Sequence, residues 1–280
     1  KRETVTTAIT TVKPEDFNQG ATRNAMDLIQ GKVAGLTITR PNGNNPNAGS
    51  SIQLRGVFSI ISSTASPLIV IDGIPGGNLD LLQPDDIASF DVLKDGSSAA
   101  IYGTRGSQGV ILITTKKGKE GPPNYDYSTW FSRDQVTKRP DILSAAGYRA
   151  LKADPTNLRG GSMPDLGADV DWYDLLINDS NLTQYHNFSA SGGTAVSNYR
   201  ASVYFRDDNG ITFENGRKQL GGRINVNQRG LKDRLAIQLN LASNFNNGNL
   251  LGGNVNDFEQ AVIRNPTEPV YENGVFRDPV

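Results

Sequence analysis

The sequence predicts a β-rich chain in two parts, a small α+β domain followed by long antiparallel strands, on three observations. Only 36% of the 280 residues are hydrophobic and 30 are glycine, a balance that suits strands and turns better than long helices. Short β-branched runs fill the first part, to about Gly118, whereas strict period-2 alternation fills much of the rest. Gly118, Gly121, Pro122 and Pro123 separate the two regimes.

In ATRNAMDLIQGKV, Ala25, Leu28, Ile29 and Val33 recur at helical spacing with Thr22 placed to cap them, so a short helix is expected near residues 22–31. LTITR, SIQLRG, PLIVIDG, ASFDVLK and GVILITTKK follow, each a short strand bounded by turn residues. In KKGKEGPPNY the proline pair is expected to stand outside any regular element, and a boundary falls between residues 117 and 124. Beyond it five strands are expected, at roughly 125–134, 182–192, 197–207, 218–228 and 234–245.

Their faces separate cleanly. In NYRASVYFR, Tyr199, Ala201, Val203 and Phe205 share one face, and Arg200, Ser202, Tyr204 and Arg206 the other. QLGGRINVNQ sets Leu220, Ile224 and Val226 against Gln219, Arg223 and Asn225, and LAIQLNLASN sets Leu235, Ile237, Leu239 and Leu241 against Gln238 and Asn240. Trp130 breaks the alternation of YDYSTWFSRD. The pattern fits a soluble sheet with one wet face, such as a secreted β-sandwich, and equally a membrane barrel. Connection lengths run long, short, medium, short, long, which is the layout of outer-membrane barrels, and strands of about ten residues suit a tilted membrane strand.

Charge and chemistry narrow the function classes. A formal net charge of -1 leaves no basic footprint for nucleic acid. With no cysteine and a single histidine, His186, thiolate zinc sites, disulfides and multi-histidine metal sites are excluded, and neither metal nor cofactor is expected. The glycine-rich stretch DGSSAAIYGTRGSQGVILITT (95–115) lacks the G-x-x-x-x-G-K-[ST] pattern and runs into a strand rather than a helix, so it does not cradle a phosphate. Ser107 lacks the G-x-S-x-G frame of a nucleophile elbow, because Arg105 stands two before it. Asp169, Asp171, Asp207, Asp208 and Glu214 lie in polar connections, where acidic groups are ordinarily solvated. No catalytic residue is expected, and the chain reads as a non-enzyme. It begins KRETVTTAITTV, with neither Met nor an apolar leader core, so any leader segment is expected to lie outside it.

Several stretches, in order, carry a family resemblance: LIQGKVAGLTI (28–38), SIQLRG (51–56), SPLIVIDGIP (66–75), DDIASFDVLKDGSSAAIYGTRGSQGVILITTKKG (85–118) and NFSASGGTAVSNYRASVYFRDDNGI (187–211). Through them the chain resembles the TonB-dependent outer-membrane receptors, in particular the SusC/RagA-like branch that imports nutrients in Bacteroidetes. The resemblance implies an α+β plug domain at 1–118, a linker at 119–124, and the N-terminal part of a transmembrane β-barrel at 125–280, with long external loops. The family's barrel is of the 22-stranded plugged type; at about 24 residues per strand it needs roughly 500 residues or more, so a truncated barrel is implied.

The implied function is TonB-dependent import at the outer membrane, of oligosaccharides first and of peptides as the alternative cargo. A secreted or periplasmic β-rich binding module is the alternative outside the family. A SusD-like surface lipoprotein and TonB with its inner-membrane energising complex are the implied partners, although no TonB-box peptide is evident in the chain. Arg55 of QLRG matches the plug arginine that pairs with barrel-wall carboxylates, and Lys94 of VLKDG stands where many siderophore receptors have arginine. Arg200, Arg206, Arg223, Asn225, Gln238 and Asn240 are the implied lumen-side groups.

Substrate contact is expected at the plug apex, from Asn42, Asn44, Asn45 and Asn47, from Ser59, Ser62 and Ser63, and from Asn78 and Asp80. Asn and Ser both donate and accept, as sugar hydroxyls require. Turn formation recruits the same residue types.

Overall fold

The computed structural model describes residues 9–40, 45–54, 66–94, 100–154, 156, 164–232, 234–249, 257–272 and 274–276. The chain forms two compact units. One takes residues 1–132, 182–209 and 216–248, and the other takes 133–181, 210–215 and 249–280.

Among the described residues the first unit begins with seven short strands: β1 (Ile9–Val12), β2 (Leu36–Thr39), β3 (Ser51–Leu54), β4 (Leu68–Ile71), β5 (Ile74–Pro75), β6 (Ile87–Leu93) and β7 (Val110–Thr115). Five of them make a mixed sheet in the order β1-β6-β7-β4-β5, with β4 and β7 parallel, while β2 and β3 pair separately. The IDGIP stretch shows how local sequence fixes local geometry. Asp72 and Gly73 both take positive φ, 48° and 87°, and close a two-residue hairpin between Ile71 and Ile74, the combination Asp-Gly supplies at least strain.

One face of this sheet meets a covering layer, and Met26, Ile29, Ile87, Phe90, Val92 and Ile111 are completely buried there. Burying each such side chain contributes about 1.5–3 kcal/mol relative to leaving it exposed.

Two local expectations are corrected. The segment near 22–31 is a 3-10 turn, Ala25–Ile29, and its cap is Asn24 rather than Thr22. Asn24 Oδ1 accepts from the Met26 amide at 3.0 Å, and Asp27 Oδ2 accepts from the Asn24 amide at 2.8 Å. That reciprocal box closes over a five-residue element buried on every side, so the helical spacing had no solvent face to define. The proline pair is the second correction: Pro122 and Pro123 lie inside β8 (Gly121–Arg133). They open the terminal strand of its sheet, where absent N–H groups are tolerated.

The remaining strands of this unit are β9 (Leu182–Gly193), β10 (Ser197–Asn209), β11 (Gly216–Gly230) and β12 (Leu235–Asn249), which with β8 form a meander ordered β12-β11-β10-β9-β8. They run longer than the sequence suggested, up to 15 residues. Outward positions Val203, Leu220, Ile224, Leu239 and Leu241 are exposed apolar side chains, as a lipid-facing surface requires. The sheet is open rather than closed on itself. Among the described residues no helix is long and apolar enough to cross a membrane, which says nothing of strands.

The second unit carries the helix Ala145–Ala153, capped by Ser144, and the helix Asp257–Ile263. It also holds a small hairpin of β13 (Tyr271–Glu272) and β14 (Val275–Phe276). The Arg264 guanidinium lies 3.8 Å from the centre of the Trp172 ring, whose Nε1 donates to the Asn265 carbonyl at 3.0 Å. Arg149 Nε reaches Asp165 Oδ2 at 2.9 Å and, by donating to it, holds the Asp165 carboxyl below the usual carboxylate range.

Candidate functional site

The meander presents a polar inner face to the N-terminal sheet. Tyr185, Asn187, Arg200, Arg206, Arg223 and Asn225 are all at least nine-tenths buried. Charged and amide groups tolerate such burial only when hydrogen-bonded. Their partners come from the first 118 residues of the same unit.

The centre of the seam is Asp86, at the end of the turn Pro84–Asp86 that leads into β6. Arg200 Nη2 donates to Asp86 Oδ1 at 3.2 Å and Ser202 Oγ to Asp86 Oδ2 at 3.0 Å. The Asp86 carbonyl accepts from the Lys116 amide at 2.7 Å, so one residue ties the wall to the exit of β7. Beside it, Asn187 Nδ2 donates to Asp85 Oδ2 at 3.2 Å. Asn225 Nδ2 reaches Thr115 Oγ1 at 3.2 Å and the Lys116 carbonyl at 2.9 Å. Gly118 then passes so close to β10 that an added Cβ would lie 2.2 Å from the Tyr199 carbonyl oxygen.

Arg206 is the most enclosed charge, 1% exposed. It donates to the backbone carbonyls of Arg23 at 2.5 Å and Thr22 at 2.8 Å, and lies 3.8 Å from Asp208. Its guanidinium sits over Tyr185 at 4.9 Å and Trp130 at 5.5 Å, which accounts for Trp130 setting an aromatic ring on the polar face of β8. Arg223 donates to the Leu81 carbonyl at 3.2 Å and lies 4.0 Å from Asp72. Toward the strand ends that lead into the long connections, Arg217 stands 3.5 Å from Asp80 and Asn244 donates to the Asp80 carbonyl at 2.9 Å.

The expected site residues divide. Asn47 Nδ2 donates to the Gly216 carbonyl at 3.1 Å, so Asn47 and Asp80 both touch the wall at the same end. Asn45 and Asn78 close turns, accepting from the amides of Asn47 and Asp80. Lys94 is half-buried just after β6, with no ion-pair partner among the described residues. Asn42, Asn44, Arg55, Ser59, Ser62 and Ser63 lie outside the described residues. Of the lumen-side set, Arg200, Arg206, Arg223 and Asn225 reach the plug side, whereas Gln238 is exposed and Asn240 half-buried on the terminal strand β12.

Asp72, Asp85 and Asp86 went unrecognised as plug-side anchors. For Asp85 and Asp86 the signal was available in DDIASF, where two acids directly precede Ile87, the completely buried first residue of β6. Among the described residues no cluster of three metal-ligating side chains forms. His186 Nδ1 is engaged on the outward face by Tyr127 Oη at 2.7 Å and Thr129 Oγ1 at 3.1 Å.

A compact mixed domain held by buried polar contacts against a lipid-facing meander defines a plugged outer-membrane receptor. Residues 1–110 match the family model described as TonB-dependent Receptor Plug Domain. The TonB-dependent receptor SusC of Bacteroides thetaiotaomicron is 36% identical over 98% of this chain and 28% of its own length. A TonB-dependent receptor of Formosa agariphila is 31% identical over 99% of this chain and 28% of its own. Among solved structures, the RagAB peptide importer in its closed-closed state superposes with a TM-score of 0.70 at 28% identity, over 88% of this chain and 31% of that one. The siderophore receptor PirA from Acinetobacter baumannii, 16% identical with a TM-score of 0.54, shares the fold.

The chain belongs to the SusC/RagA-like TonB-dependent receptors, an outer-membrane family of receptors rather than enzymes. It spans 28% of the length of the two curated relatives. Membership sets aside the soluble sandwich that the strand alternation alone left open.

Proposed function

We propose that this chain forms the plug (1–118), linker (119–124) and opening wall strands (125–280) of a TonB-dependent importer, with oligosaccharides as cargo. The plug is the gate. A SusD-like surface lipoprotein would cover the outer side, and TonB with its energising complex would act from the periplasm. The observation that carries this reading is the seam itself: Asp86, Arg200 and Ser202 join plug to wall through hydrogen bonds that water can replace, so the plug is held firmly yet detachably. Asn45, Asn47, Asn78 and Asp80, with Asn42, Asn44, Ser59, Ser62 and Ser63, are the proposed apex contacts to cargo, and Arg55 and Lys94 the proposed further plug–barrel contacts.

This chain has no cysteine, so a disulfide between Ser202→Cys and Asp86→Cys would be the one possible within it and would lock the gate. Oxidised cells should lose uptake of labelled oligosaccharide and regain it on reduction. Equal uptake by the locked receptor would end the gating reading. Peptide cargo is the second reading, favoured by the structural likeness to the RagAB peptide importer.

A further inference from the structure

The inner faces of β10 and β11 carry four enclosed arginines, with Arg229 exposed beyond them, against a single carboxylate, Asp208. The register makes them a ladder. Asp208 pairs with Arg217, Arg206 with Gln219, Ser202 with Arg223 and Arg200 with Asn225, so Arg217, Arg206, Arg223 and Arg200 descend in that order. From the level of Arg217 to that of Arg200 is eight residues of β10, about 27 Å along the strand.

Every rung is occupied by a plug oxygen: Asp80 at Arg217, the Thr22 and Arg23 carbonyls at Arg206, the Leu81 carbonyl at Arg223, and Asp86 at Arg200. Three rungs also hold donor capacity in reserve, because the Nε atoms of Arg200, Arg206 and Arg223 are buried with no hydrogen-bond partner among the described residues. Displacing the plug strips these guanidinium groups of their acceptors while leaving the charges on the wall. A planar guanidinium is matched best by another carboxylate.

Resting on the gate reading above, we propose that the ladder is a guide for carboxylate-bearing cargo, and that Asp80, Asp86 and the plug carbonyls occupy it as internal stand-ins when the gate is closed. Within the oligosaccharide reading and its peptide alternative, the cargo is then the class that carries repeated carboxyl groups. The ladder also gives the plug acids a competitive role, since cargo and plug cannot hold the same arginine together.

The test uses the whole receptor. In planar bilayers, with urea displacing the plug, the reversal potential in a KCl gradient should show anion preference, and Arg217→Gln/Arg223→Gln should shift it toward cations while the matching lysine variant does not. An unchanged reversal potential in the glutamine variant would overturn the ladder. In cells, initial uptake is compared for an oligouronate against its carboxyl-reduced form and for a glutamate-rich peptide against its glutamine counterpart. The carboxylated member should lead by about tenfold in the arm that matches the cargo, and the glutamine variant should collapse that ratio. A role confined to seating the plug would move both members by one factor and leave the ratio intact, which would overturn the guide. Absence of uptake in both arms would count against the cargo class, and the lock experiment separately decides whether the gate reading stands.

Discussion

Phe90, Val92, Ile111 and Ile113 hold the plug sheet to its covering segments through completely or almost completely buried hydrocarbon, whereas Asp86, Arg200 and Ser202 hold the same domain to the wall through charge and hydroxyl. Both contacts exclude water, but they come apart differently. Opening the apolar core exposes area at about 25 cal/mol per Å², with nothing in solvent to compensate. Opening the seam exchanges protein hydrogen bonds for hydrogen bonds to water, and the net loss per bond is about 1 kcal/mol. A plug that must leave its wall without unravelling needs that difference.

The largest expected effect tests the core. Phe90→Ala should cost about 3–5 kcal/mol in denaturant unfolding of the plug, because a fully buried ring leaves a cavity where it meets Phe17 edge-on at 5.6 Å. A loss under 1 kcal/mol would mean that the core tolerates collapse and the contrast is false.

Next comes the seam. Asp86→Ala leaves the Arg200 guanidinium buried without its carboxylate, and should destabilise the docked plug by about 3 kcal/mol. The double change Asp86→Leu/Arg200→Met should recover most of that loss, since an apolar pair removes both desolvated charges. Protease access to the linker would report docking. Equal losses in the single and double variants would mean that charge is not what the seam reads.

The smallest effect lies in the second unit, where Arg149 lowers the pKa of Asp165. A carboxyl depressed in the folded state contributes stability that is fully present above its unfolded pKa of about 3.9 and is lost as pH falls through the depressed value. Protection of the 134–181 segment from an acid-active protease should therefore weaken below that range, and Asp165→Asn should reduce the pH dependence. Identical acid profiles for the two would remove Asp165 from the account.

Much of the wall was legible because alternation is a one-residue rule: Arg200, Arg206 and Arg223 could be placed on the inner face from period 2 alone. Trp130 keeps the period but sets an aromatic ring on the polar face, because a cation, Arg206, gives it a partner there. The plug was harder to read. Ala25 to Ile29 has helical spacing but is enclosed on all sides, and Asp85 and Asp86 look like ordinary turn acids until a strand more than a hundred residues away supplies Arg200. Spacing cannot reveal a partner that only tertiary structure brings near.

One feature of the two sheets bears on how the molecule is assembled. Within the wall, β9 to β12 pair across connections of a few residues, whereas β8 reaches β9 across residues 134–181 and the plug must bring β1 to β6 and β4 to β7 across tens of residues. Local pairing forms fast and distant pairing slowly. A wall that closed first would leave Arg206 and Arg223 facing its lumen with no plug oxygens to receive them. The arginine face therefore finds its full set of partners only when the plug is folded as the wall forms around it.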